Sequence, residues 1–314
     1  MSNPQVIELT EYQPTYLDRD SLPDELGELL WRSYHQQVAV EFPSPKTGNR
    51  WQLTSQGWVG HIPLTPDVHL SLQPKVALDN LFRMLEYAYN LDFKLLPGLV
   101  DSQSLAEFYE RLANILARRV LDRGRKGFYR AYIPQNDALP YIRGRLDMRQ
   151  VAGQPGQINV RCHYQEHTAD VDENRILAWT MWQITRSGPC TERVLPTVRQ
   201  AYRALQGLVT SQPYTANACL GRQYHRLNAD YQPLHALCRF FLEQSGPGHR
   251  LGNRKMVPFL VNMAALYEKF VAAWLVDHLP PEVRLRAQER VDIGKINGVH
   301  FEIDLVLYNC LLYT

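Results

Sequence analysis

Residues 68–89 have the sequence VHLSLQPKVALDNLFRMLEYAY, and the spacing of their apolar residues changes at Pro74. Before this proline, apolar and polar residues alternate, which is the period of a half-buried β-strand. After it, the apolar residues follow the i, i+3, i+4, i+7 spacing of one helix face: Leu78, Leu81, Phe82, Leu85 and Tyr89. The segment therefore predicts a strand followed by an amphipathic helix, with a boundary near residue 77.

The chain before this boundary, residues 1–77, predicts a β-rich N-terminal module. Short alternating or aromatic runs occur at 38–42, 50–54, 57–62 and 68–72, and turn residues separate them. A spacing of about ten residues between such runs is typical of a small antiparallel sheet or barrel.

Residues 78–248 predict a mainly helical middle region. Beyond the first helix, amphipathic patterns predict helices from Ser104 to about Arg125, from Asp172, at about 191–210 and at about 231–244. The run Ser245-Gly246-Pro247-Gly248 is the best candidate for an interdomain break, because it combines glycine, proline and serine.

Residues 249–314 predict a helix followed by two strands. Met263 to His278 fits an amphipathic helix, and Pro280-Pro281 ends it. The runs Val283 to Val291 and His300 to Tyr308 predict strands, and the Asn297-Gly298 pair between them favours a hairpin. Together the three regions predict an α+β fold.

Composition excludes several classes of protein. The chain has 314 residues, 45% of them hydrophobic, and a formal net charge of +2, which suits about two folded domains rather than a disordered chain. It contains no run of about 18 apolar residues and no secretory signal pattern, so we expect no membrane association. Five scattered cysteines without a CxxC motif favour a cytoplasmic location. A GxxxxGK[ST] loop is absent, so we expect the chain itself to bind no nucleotide.

Positive charge is concentrated between residues 111 and 150, where ten lysines and arginines face three acids, a net charge of +7. Three tyrosines are interleaved with these basic residues. The pattern predicts a surface for nucleic acid or for an acidic partner, and the candidate contacts are Arg123, Arg125, Lys126, Arg143 and Arg145. The alternative is a solvated helix face with intramolecular ion pairs.

Asp304 is the strongest candidate for a chemical role. It lies in the apolar run FEIDLVL at 301–307, where an acid costs desolvation free energy unless a partner binds it. A divalent cation is one such partner, and the exposed face of an edge strand is the alternative. Glu268 is a possible second acid, although on its own it is better explained as a solvated helix residue paired with Lys269 or another neighbour.

The pentapeptide HYQEH at 163–167 matches the HxxEH signature of inverted zinc proteases. That signature requires a helix, so that His163 and His167 share one face. The preceding residues 158–162 are typical of a strand, and a helix is predicted only after Asp170 or Asp172. A zinc protease is therefore a remote alternative.

Several blocks of the sequence, in order, resemble the McrC family, the nuclease subunits of McrBC-type 5-methylcytosine restriction systems. The blocks are Pro74-Lys75-Val76 with residues 80–89, Arg143–Asp147, Asp172–Leu177, Leu266–Val271, and Asp304. The resemblance implies a McrB-type AAA+ GTPase as partner, docking through residues 78–248, stimulation of GTP hydrolysis, and cleavage of DNA with Mg²⁺. It also implies a PD-(D/E)xK nuclease domain from residue 249, with Asp304 as its first acid and metal ligand and Glu268 as an auxiliary acid.

The sequence departs from this family pattern after Asp304, because residues 305–314, LVLYNCLLYT, contain neither an acid nor a lysine. The D/E-x-K strand is missing, so we expect the 314-residue chain to be incomplete as a nuclease and not to cleave DNA. Two hypotheses follow. The chain is a truncated McrC-like endonuclease subunit, or it is a non-catalytic subunit that docks on the GTPase and stimulates it.

Overall fold

A computed structural model of the protein describes residues 5–65, 67–89, 91, 104–146, 159–187, 189–246, 249–251, 254–280, 282–292 and 300–309. Its helices are α1 (Asp24–Ser33), α2 (Leu78–Tyr89), α3 (Leu105–Lys126), α4 (Asp172–Ile184), α5 (Leu195–Gln206), α6 (Tyr231–Glu243) and α7 (Met263–His278). Its strands are β1 (Gln5–Thr10), β2 (Pro14–Leu17), β3 (Val38–Glu41), β4 (Trp51–Ser55), β5 (Trp58–Pro63), β6 (Val68–Gln73), β7 (Ala131–Leu139), β8 (Arg145–Leu146), β9 (Val160–Thr168), β10 (His249–Leu251), β11 (Arg254–Met256), β12 (Phe259–Asn262), β13 (Val283–Asp292) and β14 (His300–Asn309). The α+β class predicted from the sequence is confirmed.

Two open sheets form the N-terminal region, with strand orders β1-β6-β5-β12 and β2-β4-β3. The sequence predicted an antiparallel sheet or barrel, and this prediction is wrong in one respect, because β1 pairs with β6 in parallel, with Ile7 opposite Leu70. Strand spacing predicts where strands occur but not their direction. The long connection between β1 and β6 leaves room for the crossover that a parallel pair needs.

Helix α1 packs across these sheets, and the sequence analysis missed it. Gly27 makes the close packing possible, since a Cβ built on it would lie 2.2 Å from the indole ring of Trp51. Trp51 is fully buried in the core that the two sheets share with α1. The helix was missed because one short amphipathic helix lies among strand-like runs.

The helical body packs α2 to α6 around a larger apolar core. Ser104 begins α3 as predicted, because its hydroxyl accepts the backbone N–H of Glu107 at 3.1 Å. Phe82 of α2 stacks on Phe108 of α3 with ring centroids 4.2 Å apart. These contacts confirm the amphipathic helices that hydrophobic spacing predicted in this region.

Strand β12 connects the two cores. It pairs antiparallel with β5, with Phe259 opposite His61. Phe259 and Val261 face the helical core, whereas Leu260 faces the N-terminal core. The alternation of a strand therefore places one short segment in both cores.

A three-stranded sheet of order β7-β9-β8 lies between α3 and α4 in the chain. Most of its side chains are exposed or half-buried, although Cys162 is buried. Only the extended character of residues near 158–162 was predicted. The apolar residues of β7 and β9 are too sparse for a strong strand signal.

At the other end of the chain, α7 is followed by the antiparallel pair β13 and β14, with Val291 opposite Phe301. The helix and both strands lie where the sequence predicted them. Helix α7 does not have the one-sided apolar face of the predicted amphipathic helix, because its apolar residues lie on most of its sides. The Asn297-Gly298 turn lies outside the described residues. Within the described residues, no helix has the length and apolar character needed to cross a membrane.

Candidate functional site

An Arg-Gly-Arg turn leads into β8, at one edge of the β7-β9-β8 sheet. Gly144 has a φ of +71°, and a Cβ built on it would lie 2.4 Å from the carbonyl oxygen of His163. Only glycine combines this left-handed backbone with so close an approach to β9. The backbone therefore fixes the positions from which Arg143 and Arg145 project.

The two arginines of this turn are held differently. The guanidinium carbon of Arg143 lies 4.0 Å from the ring centroid of Tyr164, a cation–π contact. The Tyr164 hydroxyl donates to Asp137 at 3.0 Å, and this hydrogen bond raises the pKa of Tyr164. Arg145 lies opposite His163 and is exposed. One guanidinium is thus oriented in advance, and the other extends into solvent.

A surface cavity of about 660 Å³ adjoins this turn. Its lining consists of Pro134, Gln135, Asn136, Arg143, Gly144, Arg145, His163, Tyr164 and Gln165. Nearby, Tyr141 and Ile142 are 57% and 67% exposed. An arginine next to exposed aromatic and aliphatic residues is typical of an anchor in a protein interface.

The base of the sheet is clamped to the helical body by Asn174, which is fully buried in α4. Its amide nitrogen donates to the carbonyl oxygens of Tyr129, at 2.8 Å, and Ala169, at 2.7 Å. Its amide oxygen accepts the hydroxyl of Tyr231 at 2.6 Å, and that hydroxyl accepts the N–H of Tyr129. Because Tyr129 precedes β7 and Ala169 follows β9, and Ala131 of β7 pairs with Thr168 of β9, one side chain ties the base of both strands to α4 and α6.

The residues beside Asn174 strengthen this attachment. Arg175 donates to Asp170 at 2.6 Å and holds the pKa of that carboxyl well below its usual range. Arg222 donates to Glu173 at 2.9 Å. From the sequence, the block 172–177 was identified only by its resemblance to a family. In the structure, its side chains form hydrogen bonds that attach the sheet and neighbouring loops to α4.

The basic residues predicted on α3 are only partly free. Arg123 is mostly buried and pairs with Asp230 at 3.3 Å. Arg125 pairs with Asp122 at 2.8 Å but remains exposed, and Lys126 is exposed at the end of the helix. The alternative of intramolecular ion pairs therefore holds for Arg123, while Arg125 and Lys126 stay accessible. Two other charges counted in this basic segment, Asp147 and Arg149, lie outside the described residues.

The two predicted carboxylates lie on separate elements, Asp304 on β14 and Glu268 on α7. Asp304 and the adjacent Ile303 are exposed, which agrees with the alternative of an exposed strand face. Glu268 is also exposed, and Lys269 pairs with Glu243 of α6 rather than with Glu268. Burial, together with the charge of a nearby arginine, lowers the pKa of Lys269 to about 8.

Among the described residues, no three His, Cys, Asp or Glu side chains are grouped closely enough to hold a metal ion. The described part of the chain therefore does not fit a complete Mg²⁺ site. Asp304 is exposed, and the described residues do not group two further metal-binding side chains around it.

His163 and His167 lie in strand β9, and both are exposed. Residues four apart in a strand are about 13 Å apart, too far to share one zinc ion. His167 instead stacks against Tyr132 with ring centroids 4.8 Å apart. The zinc-protease alternative is therefore wrong, because this segment is a strand and not a helix.

Comparison with known proteins identifies the class of protein. Residues 53–303 match the family described as McrBC 5-methylcytosine restriction system component. Because this match covers most of the chain, the protein belongs to that family. Within the family it is a McrC-type component, as the sequence resemblance predicted.

One curated relative is the type IV methyl-directed restriction enzyme EcoKMcrBC of Escherichia coli strain K12. It is 23% identical over 214 residues, which are 63% of this chain, and the chain spans about 58% of that relative. Two solved assemblies from Thermococcus gammatolerans contain chains of similar fold. A chain of the McrBC complex matches with a TM-score of 0.54, 18% identity and 88% coverage of both chains. A chain from the half-complex of McrB AAA+ hexamers with bound McrC matches with a TM-score of 0.54, 19% identity, and 97% and 77% coverage.

Proposed function

We propose that this McrC-type component docks on a McrB-type AAA+ GTPase through the edge of the β7-β9-β8 sheet and stimulates its GTP hydrolysis. The observation that carries the proposal is the turn at Gly144, from which the side chains of Arg143 and Arg145 project. The sheet that holds this turn is attached to the helical body through Asn174. The fold it shares with a chain from an assembly of AAA+ hexamers with bound McrC supports the same partner.

The physical reason lies in how arginine recognises anions. A guanidinium group forms paired hydrogen bonds to carboxylate or phosphate, so its position must be fixed to within a fraction of an ångström. The turn and the Asn174 clamp supply this order before binding, which reduces the entropy lost on association. Exposed Tyr141 and Ile142 supply apolar contact area beside the charged group.

The experiment measures GTP hydrolysis by the cognate AAA+ protein with this chain added as wild type, Arg143→Ala or Arg145→Ala. We expect each variant to lower stimulation at least tenfold, because a lost charged contact costs about 1.5–3 kcal/mol. The control is Arg32→Ala, which removes an exposed arginine from α1. Full stimulation by both turn variants would refute the docking site.

We propose cleavage of 5-methylcytosine-containing DNA as a second activity of the complex, with the partner recognising the modification. Membership in the restriction family favours it, and Asp304 is the exposed carboxylate to which the family resemblance assigns the metal. Because the described residues lack a complete ligand set, we assign no catalytic step to them.

The test incubates the chain and its GTPase partner with methylated plasmid and GTP, with and without Mg²⁺. We expect the 314-residue chain to leave the plasmid intact. In a complex whose McrC-type component carries a D/E-x-K strand, cleavage should require Mg²⁺ and should fall strongly in Asp304→Asn and less in Glu268→Gln, whereas the exposed control Asp277→Asn should cleave normally. If the wild-type complex hydrolyses GTP but leaves the plasmid intact, the chain is the non-catalytic docking subunit.

A further inference from the structure

A second basic surface lies on the helical body, where the end of α3 packs against α5. Arg118, Leu121 and Arg125 recur at a spacing that places them on one face of α3. On α5, Arg203 lies three residues after Gln200, and both are exposed. We call this surface, with Arg130 just beyond α3, the α3–α5 face.

The α3–α5 face contains a surface cavity of about 480 Å³. It is lined by Leu121, Gly124, Arg125, Gly127, Phe128, Arg130, Ala169, Gln200, Ala204 and Leu208. Arginines and a glutamine lie among apolar side chains in this lining. Such a lining suits a ligand that has anionic groups next to a less polar body.

Charge around this face is strongly one-sided. Residues 193–229 contain no aspartate or glutamate but five arginines. Of these, Arg199 and Arg203 lie on α5 and are exposed, whereas Arg222 pairs with Glu173. On α3, Asp122 pairs with Arg125, but an exposed pair of this kind is weak and leaves the arginine available. Asp170, which adjoins Ala169 of the cavity, is already neutralised by Arg175.

We infer that the α3–α5 face binds the phosphate backbone of DNA. Arg118 and Arg125 lie about 10 Å apart along the helix, and a duplex carries one charge per about 1.7 Å of axis, so both can meet phosphates in any sequence. Leu121 and Phe128, between the charged groups, suit the deoxyribose edge. Exposed tyrosines and tryptophans, typical of protein hot spots, do not occur among the lining residues of this cavity.

This inference is independent of the proposed docking site. The face lies on α3 and α5, whereas the docking turn is on β8 and Asp304 is on β14. Contacts to the backbone alone carry no sequence information. DNA bound at this face is therefore held irrespective of its methylation.

The experiment measures fluorescence anisotropy of a labelled 30-base-pair duplex with the full chain, over a range of salt concentrations. The test variant combines Arg118→Gln, Arg125→Gln and Arg203→Gln. We expect at least tenfold weaker binding and a salt slope lower by roughly 2.7, about 0.9 for each lost phosphate contact. Methylated and unmethylated duplexes should bind equally.

The matched control combines Arg19→Gln, Arg32→Gln and Arg50→Gln, three exposed arginines of the N-terminal region. It removes the same charge and should leave the salt slope unchanged. A gain-of-charge variant, Gln200→Lys, should bind more tightly and steepen the slope by about 0.9.

Two outcomes would overturn the inference. In one, the test and control triple variants weaken DNA binding equally, which would mean that net charge rather than this face attracts DNA. In the other, the test variant binds DNA normally but loses the GTPase partner, which would make the face a protein interface. Thermal unfolding of each variant verifies that the exposed substitutions leave the fold intact.

Discussion

Replacing Gly144 by alanine tests whether the Arg-Gly-Arg turn depends on the close approach of its backbone to β9. The added Cβ would meet the His163 carbonyl oxygen at 2.4 Å and the Tyr164 Cβ at 2.8 Å. The left-handed backbone costs an alanine about 1–2 kcal/mol, and the steric conflict adds about 1–3 kcal/mol. We expect a loss of about 2–5 kcal/mol, or a displacement of β8 from β9 that relieves part of it.

Gly221→Ala is the matched control for this substitution. Gly221 has a φ of +64°, and a Cβ built there meets nothing within 4 Å. The control therefore carries the backbone cost of about 1–2 kcal/mol without the steric conflict. Any difference between the two variants isolates the contact with β9.

The assays are urea unfolding for stability and stimulation of the partner's GTPase for docking. Gly144→Ala should be the less stable variant and should lose at least tenfold in stimulation, because Arg143 and Arg145 move with β8. Gly221→Ala should stimulate like wild type. If the two alanine variants unfold alike and both stimulate fully, the turn has neither the steric nor the functional role assigned to it.

Three further predictions concern stability. Asn174→Ala should lower the free energy of unfolding by about 2–4 kcal/mol, because it leaves buried groups unpaired, whereas Tyr231→Phe should lower it by about 1 kcal/mol. Small and equal losses in urea unfolding would contradict the role of Asn174 in attaching the sheet. Burial lowers the pKa of His235 to about 4, so the unfolded chain binds a proton more readily, and stability should fall by up to about 3 kcal/mol from about pH 6.5 to pH 4. That part of the pH dependence should disappear in His235→Gln. If the free energy of unfolding of this variant falls with pH as steeply as that of wild type, His235 is not its cause. Gly27→Ala should lower the melting temperature clearly, because the added Cβ would lie 2.2 Å from the Trp51 ring. Gly207→Ala should not, because a Cβ built there has no neighbour within 4 Å.

Much of the secondary structure could be predicted because local sequence determines it. Helices α2 and α3 each carry an apolar stripe with a clear period, and Ser104 marks the start of α3. Helix α1 and the β7-β9-β8 sheet could not be placed in the same way. Helix α1 is short and lies among strand-like runs. The β7-β9-β8 sheet is largely solvent-exposed and lacks the apolar alternation of a half-buried sheet.

The candidate site was predicted less completely than the fold. Family resemblance singled out Arg143, Arg145 and the block around Asn174, but not their physical roles. Asn174 contacts Tyr129 and Tyr231, which are 45 and 57 residues away in sequence. Sequence spacing contains no signal for such a contact, because helix packing and not the local chain brings the groups together.

The sequence by itself determined the α+β class, the periodic helices and the membership in the McrBC restriction family, because hydrophobic periodicity and ordered motifs are local properties of the chain. Only the tertiary structure decided that β1 runs parallel to β6 and that β12 faces two cores. It likewise decided that Asn174 clamps the sheet and that Asp304 is exposed. These features depend on burial and on contacts between distant segments, and burial is a property of the packed chain rather than of any one residue.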